Sequence, residues 1–429
     1  SVVREFAKKI SSKCIVMDAE QESLRVVARK KPRIYTYDFT LMRGEDFYQD
    51  ASLRDFSINT LAVNLCSARR SLIDYFGAKK DLKNKLIRVV KEEVIPGDPL
   101  RILRAFSFAA GYDFRIDPAT LKLMVKEKKL LKKVSKERIS EELFKVFRVK
   151  HSFAVIKEMS RLKILDEVIP HISGMRRIRQ GGYHHLDVWD HSLETLRQFE
   201  LLCSRRLSKN KDFQDYLDEE LSFGRKRFQI IKLACLLHDA GKPLAKRKLN
   251  KRTVFHTHEK IGRDLAADAS KSLRLSFREE DLLKKLIFWH LRPGYLADQV
   301  IPSQRAIYRF FRDTNKEGAG VVALSLADWR ATRGPLTDAL KRKRHEKIML
   351  DLVKKHFIKQ KSKPLPKLTD GYQLMKVFNL SSSPLIGKIL KKIKEEQDLG
   401  VISTRSQALT QAKKIIKAYL YSQRAGKVS

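Results

Sequence analysis

Leu236-Leu237-His238-Asp239-Ala240-Gly241-Lys242-Pro243 is an apolar helical run that stops at a Gly/Pro break, with two metal-ligand side chains at its end. Such an end lies against a core, where water is scarce and buried polar groups need partners. His-Asp at that place therefore predicts a ligand to satisfy it. Working outward, His191 lies in Asp187-Val188-Trp189-Asp190-His191-Ser192, ahead of a helical run. His258 lies in Thr257-His258-Glu259-Lys260, and His290 in Trp289-His290-Leu291-Arg292-Pro293. Asp328 ends the apolar stretch Leu324-Ser325-Leu326-Ala327-Asp328. Of the 11 histidines, those at 184, 185, 191, 238, 256, 258 and 290 fall within a quarter of the chain. His184, His185 and His256 carry the plainer reading of core residues.

Neutral imidazoles with carboxylates suit divalent transition metals. The expected site holds one ion on His191, His238, Asp239 and Asp328, and a second on His258 and His290, with Asp239 bridging. Two such ions would activate a water and clamp phosphoryl oxygens. His238, Asp239 and Lys242 are the candidate catalytic group, Lys242 as a phosphate partner. Mn, Ni, Mg, Fe and Zn all remain candidates.

The 429 residues allow roughly two to four domains. Lys+Arg outnumber Asp+Glu 90 to 50, a net +40. That surplus favours a polyanionic partner; the alternative is a lysine-rich composition with no specific partner. No run is apolar enough to span a membrane, and no charged-then-apolar leader is visible. Cys14, Cys66, Cys203 and Cys235 have no C-x-x-C spacing, which fits free thiols and a cytoplasmic location.

Residues 2–10 read as a helix. Cys14-Ile15-Val16-Met17, Leu24-Arg25-Val26-Val27 and Ile34-Tyr35-Thr36-Tyr37-Asp38-Phe39 alternate as strands. Helical spacing is expected from Ser57 (Ile58, Leu61, Ala62, Leu65), then over 98–111, 117–130 and 136–148, and on to about 356. Lys126 to Lys133 reads as a solvated basic face. Lys359 to Lys367 reads as a linker, with Ser381-Ser382-Ser383-Pro384 opening a later helix by cap and first-turn proline.

Leu53-Arg54-Asp55-Phe56-Ser57-Ile58-Asn59 leads from the strands toward that helix, placing a guanidinium fork suited to phosphate at the junction. In Asp98-Pro99-Leu100-Arg101-Ile102-Leu103-Arg104 the proline suits a first turn and makes Asp98 the N-cap. Asp98 and Arg101, three apart, would form a donor–acceptor edge able to pair with a nucleobase, and Arg104 extends it. By spacing alone, a capped helix with an ordinary ion pair fits as well.

Two resemblances follow. The order His191, His238-Asp239, His258, His290, Asp328 resembles the HD superfamily of metal-dependent phosphohydrolases. Arg54 to Ala62 and Asp98 to Phe106 resemble bacterial CCA-adding tRNA nucleotidyltransferases and their poly(A) polymerase relatives. That likeness continues through Asp74-Tyr75-Phe76-Gly77, Glu137-Arg138-Ile139, Asp370-Gly371-Tyr372-Gln373 and Gly387-Lys388-Ile389-Leu390. It implies a mainly α chain: a residual α/β nucleotidyltransferase palm (1–66), an all-α neck (67–150), an all-α HD domain (151–358) and a helical tail (368–429). It implies that Arg54, Asp55, Asn59, Asp98, Arg101 and Arg104 bind the incoming ATP or CTP. Asp98 and Arg101 would read the base, and the basic body would hold tRNA or another RNA. The family pattern also has a D-x-D pair that holds two Mg²⁺, and no Asp-x-Asp occurs here. The expectation is that this strand lies upstream of Ser1 or on another chain, and that the transfer step is lost without it. Gly97 and Ser107 depart from the pattern as well, and Asp38 alone would not hold both ions. A stand-alone HD phosphohydrolase and a non-catalytic RNA-binding protein are the alternative functions.

Overall fold

The computed structural model describes residues 2–18, 23–30, 33–67, 70–181, 185–250, 252–333 and 339–425. The chain divides into two compact units, Ser1–Glu142 and Leu143–Ser429.

In the first unit the alternating segments form an antiparallel sheet in the order β1 (Lys13–Asp18), β2 (Ser23–Lys30), β3 (Arg33–Phe39). Leu24 opposes Phe39 and Arg25 opposes Asp38. Val26 and Ala28 point to one buried face, as a period of two requires. The helix Val2–Lys9 brings Phe6 edge-on to Tyr37 and Phe39, at 5.2 and 5.4 Å. The expected helix from Ser57 is absent. A single 3₁₀ turn, Ser57–Asn59, gives way to a two-residue strand, Ala62–Val63, paired with Leu72–Ile73. Side chains explain the change: the buried Ser57 hydroxyl donates to Asp81, and Thr60 Oγ1 donates to Ser57 O at 2.7 Å. Both compete with helical backbone bonding.

The following longer helices are Arg101–Tyr112, Pro118–Glu127 (capped by Asp117, extended as 3₁₀ through Lys133) and Lys136–Arg148. Phe56, Ile87, Ile95, Ile102, Leu103, Phe106 and Met124 are buried in the first unit. Lys126, Lys129, Lys132 and Lys133 are exposed, as the charge run implied.

Among the described residues the second unit is mainly helical, with two short ribbons. The helix Gly318–Ala331 is buried on nearly every side and packs against Val188–Leu201, Phe277–Trp289 and Ala339–Lys361. Its Gly320 has no room for a side chain: a Cβ would lie 2.4 Å from Tyr216 Oη. Ala339–Lys361 runs through the start of the expected linker, and non-helical chain follows to Asp370. The tail helices Gly371–Phe378, Pro384–Asp398 and Arg405–Ala425 close over Leu374, Leu385, Ile389, Ile393 and Ala412. Ser383 does stand at the N-cap before Pro384, without a side-chain cap bond. Among the described residues no helix is long and apolar enough to cross a membrane.

Candidate metal centre and nucleotide cavity

The second unit brings all six ligand-type residues together. Asp187 caps Val188–Leu201 by accepting from Asp190 N, which sets His191 in the first turn rather than ahead of the helix. His238 is the C-cap of Arg227–Leu237, whose residues are buried all round. His258 opens His258–Ser272, His290 caps Phe277–Trp289, and Asp328 lies near the end of Gly318–Ala331. Gly241 lets the His-Asp turn approach the His258 helix, since a Cβ there would meet His258 O at 2.1 Å and Gly262 N at 2.7 Å. Only a residue without Cβ fits so close a backbone approach.

The ligand atoms fall into two groups, His191 with His238 and Asp328, and Asp239 with His258 and His290. Asp239 spans them. Its Oδ2 lies 3.3 Å from His238 Nε2 and 3.9 Å from His191 Nε2; its Oδ1 lies 3.4 Å from His258 Nε2 and 3.8 Å from His290 Nε2. The tautomers are dictated locally. His238, His258 and His290 each direct Nδ1 at the carbonyl three residues back, at 3.0, 2.8 and 2.6 Å. A carbonyl only accepts, so Nδ1 carries the proton and Nε2 keeps its lone pair. Those three Nε2 atoms are buried and have no hydrogen-bond partner. His191 Nε2 lies 2.8 Å from Asp328 Oδ1. Asp328, with a fifth of its side chain exposed, is the ligand nearest solvent. This donor set fits two divalent cations.

Electrostatics agree with that fit. Burial opposes ionisation of Asp239 and Asp328, yet His238 and Lys242 hold Asp239, and His191 and His238 hold Asp328, well below the carboxylate range. Burial likewise opposes charge on His238, but without a cation Asp239 and Asp328 raise it to about 10, putting on Nε2 a second proton that a bound metal would displace. Burial drives His290 down to about 3. The carboxylate pair thus calls for positive charge at its centre. Lys242 Nζ supplies some of it, 2.7 Å from Asp239 Oδ2, and donates to Gln180 Oε1 at 2.6 Å. His185 and His256 are exposed, so neither is the core residue expected, and neither joins the ligand groups. His184 lies outside the described residues.

The first unit holds a cavity of about 1320 Å³ whose walls include Arg54, Asp55, Asn59, Asp98, Arg101 and Arg104. The sequence-derived set therefore converges, although its internal pairing differs from expectation. Asp98 does not cap the Arg101 helix. Pro99 holds the residue before it in extended backbone, so Asp98 (φ −144°, ψ 91°) ends the short helix Val94–Gly97, and the next helix starts at Arg101. Nor does Asp98 hydrogen-bond to Arg101. Its Oδ2 accepts from Arg138 Nη2 at 3.0 Å, while Arg101 donates to Val94 O and Leu53 O at 3.2 and 2.9 Å. Burial pulls Arg101 down from its ordinary value, against Asp55 and Asp98. Asp55 is an anchor: it accepts from Asn59 Nδ2 at 2.8 Å and from Arg104 Nε at 2.9 Å. Arg54 is clamped by Asp50 and donates to Asn59 O. Asp38 lines the same cavity, paired with Arg25 through bonds of 2.6 and 2.9 Å.

Sequence reading missed Arg138, Arg25, Asp50 and Gln180 as site residues. Asp50 four residues before Arg54 was a readable i,i+4 pair. Arg138 is 40 positions from Asp98, and no local pattern links them.

Comparison with known proteins places the two sites in context. Residues 3–88 match the poly A polymerase head domain, 113–175 match the probable RNA- and SrmB-binding site of polymerase A, and 188–333 match the HD domain. The A-adding tRNA nucleotidyltransferase of Deinococcus radiodurans is 28% identical over 413 residues, covering 94% of this chain and 86% of the relative. The CC-adding tRNA nucleotidyltransferase of Thermus thermophilus is 25% identical over 414 residues, covering 94% and 84%. Among solved structures, a CCA-adding enzyme with CTP superposes with a TM-score of 0.61 at 20% identity, over 96% of this chain and 84% of that one. The Thermotoga maritima CCA-adding enzyme complexed with tRNA gives 0.60 at 17% identity, over 96% and 83%.

Proposed function

The chain belongs to the tRNA nucleotidyltransferase and poly(A) polymerase family and carries an HD domain, and from that premise we propose that it serves nucleotide addition at the 3′ end of tRNA. The observation that carries this is the cavity where Arg54, Asn59, Asp98, Arg101 and Arg104 meet. Its partners are ATP or CTP and tRNA. The guanidinium groups of Arg54 and Arg104, each braced by a carboxylate, suit triphosphate oxygens. Mg²⁺ would serve the transfer step where a D-x-D segment supplies its ligands; Asp38, paired with Arg25, does not hold it alone. Equilibrium binding of labelled CTP and ATP tests the site directly. Measurable affinity is expected, weakened at least about tenfold by Arg104→Ala, since charge-assisted bonds contribute 1.5–3 kcal/mol. Absence of binding by the unaltered chain would sink the reading.

A second activity is supported by the buried, unpartnered Nε2 atoms facing Asp239. We propose that the HD site is a phosphohydrolase acting on phosphodiesters or 2′,3′-cyclic phosphates at RNA ends, where His191, His238, Asp239, His258, His290 and Asp328 would hold Mn²⁺, Ni²⁺ or a similar cation. Such a cation would supply water activation and charge stabilisation. The residues supply the rest: His238, His258 and His290 hold fixed tautomers, and Lys242 offers its ammonium beside Asp239.

A further inference from the structure

Resting on the proposed nucleotide site, we propose that Arg138 is a positioning residue that holds Asp98 to read the exocyclic amino group of the incoming base. Asp98 forms part of the wall of the large cavity and of a neighbouring cavity of about 490 Å³, and Arg138 lines both. The Asp98 side chain is three-tenths exposed, so packing alone does not fix it. Two bonds do: Arg138 Nη2 to Oδ2 at 3.0 Å, and a longer one from Leu100 N to Oδ1 at 3.4 Å. Arg101, three residues on, has turned both terminal nitrogens to backbone carbonyls.

A carboxylate offers about four lone-pair sites. Arg138 and Leu100 occupy two of them, which leaves acceptor capacity for a ligand in the cavity. The matching donor is N4–H₂ of cytosine or N6–H₂ of adenine; uracil O4 and guanine O6 present an acceptor there instead. An Asp98 side chain held in place by Arg138 therefore favours amino bases over keto bases. Without Arg138 the side chain is free to turn toward water, and the discrimination goes with it. The triphosphate, assigned to Arg54 and Arg104, is untouched by the change.

The test is equilibrium binding of CTP, UTP and inorganic tripolyphosphate to the full chain. Arg138→Gln is expected to cut the CTP-over-UTP affinity ratio roughly tenfold, the size of one good base contact, with tripolyphosphate affinity unchanged. Arg138→Lys should keep most of the ratio. Asp98→Asn should lose it as Arg138→Gln does, and the double variant should lose no more, because the two side chains act as one unit. An unchanged ratio in Arg138→Gln, or equal losses for CTP, UTP and tripolyphosphate, would overturn the proposal. So would an additive double variant, and if Arg138→Gln does not fold, an unchanged ratio in Asp98→Asn does the same. Wild-type binding of tripolyphosphate without preference for CTP over UTP would also overturn it, while leaving the phosphate site standing. Binding of none of the three would instead remove the nucleotide site on which it rests.

Discussion

At residue scale the proposed metal centre turns on Asp239, because its two oxygens face different histidine sets. Oδ2 looks toward His238 and His191, Oδ1 toward His258 and His290. Removing it should empty both positions, whereas removing a ligand of one set should empty one. Elemental analysis of the metal-loaded chain is expected to give about two ions, about one in His290→Ala or Asp328→Ala, and close to none in Asp239→Ala. Phosphodiester hydrolysis should fall at least ~100-fold in Asp239→Ala, more than the loss typical of an outer-shell change. Full metal occupancy in Asp239→Ala would refute the bridging role. The clustering of these six residues was readable because His-Asp at a buried helix end has few structural uses. The Asp98–Arg138 pair was not, since a contact across 40 positions leaves no period or spacing in sequence. The six residues singled out in the sequence do line one cavity, while the expected Asp98–Arg101 pair is replaced by Asp98–Arg138.

At element scale the helix Ala339–Lys361 shows how a charged sequence can hide a core stripe. Its start carries Lys341-Arg342-Lys343-Arg344, yet His345, Met349, Leu352, Val353 and His356 share one buried face at helical spacing. Two histidines therefore sit where apolar residues are expected. His345 stacks on Trp329 with ring centroids 3.9 Å apart, and His356 packs 5.5 Å from Phe311. Burial lowers both, His356 from 6.5 to about 4. The unfolded chain thus takes up a proton at His356 as pH falls below 6.5, while the folded chain resists until about 4. Stability at neutral pH is therefore lost across that window, up to about 3 kcal/mol from this group. Urea unfolding at pH 7 and pH 4.5 should show that slope, and His356→Phe should flatten it. An equal slope in both proteins would show that His356 is not the group responsible. The helix from Ser57 failed in the opposite way. Its apolar spacing was helical, but Ser57 and Thr60 bond elsewhere and stop it after one turn.

At the scale of the whole molecule the surplus of positive charge becomes the governing quantity. Acidic groups are largely spent on local partners: Asp38 on Arg25, Asp55 on Arg104, Asp98 on Arg138, Glu395 on Arg305 and Arg309. Such pairing cancels charge one for one and leaves the net +40 of the chain to solvent and counterions. Exposed lysines such as Lys129 and Lys133 make up part of that surplus. A polyanion docking there releases its own condensed counterions, so affinity should depend steeply on salt. For a tRNA transcript contacting about six phosphates, the dissociation constant should rise roughly 10³-fold between 50 and 200 mM salt. A filter-binding series at four ionic strengths measures the slope. A near-flat response would mean that the lysine surplus is compositional and that RNA is held, if at all, by other contacts. A steep slope shared by Arg138→Gln would separate the two layers of recognition: bulk charge gathers the RNA, and single paired side chains in the cavity choose the base.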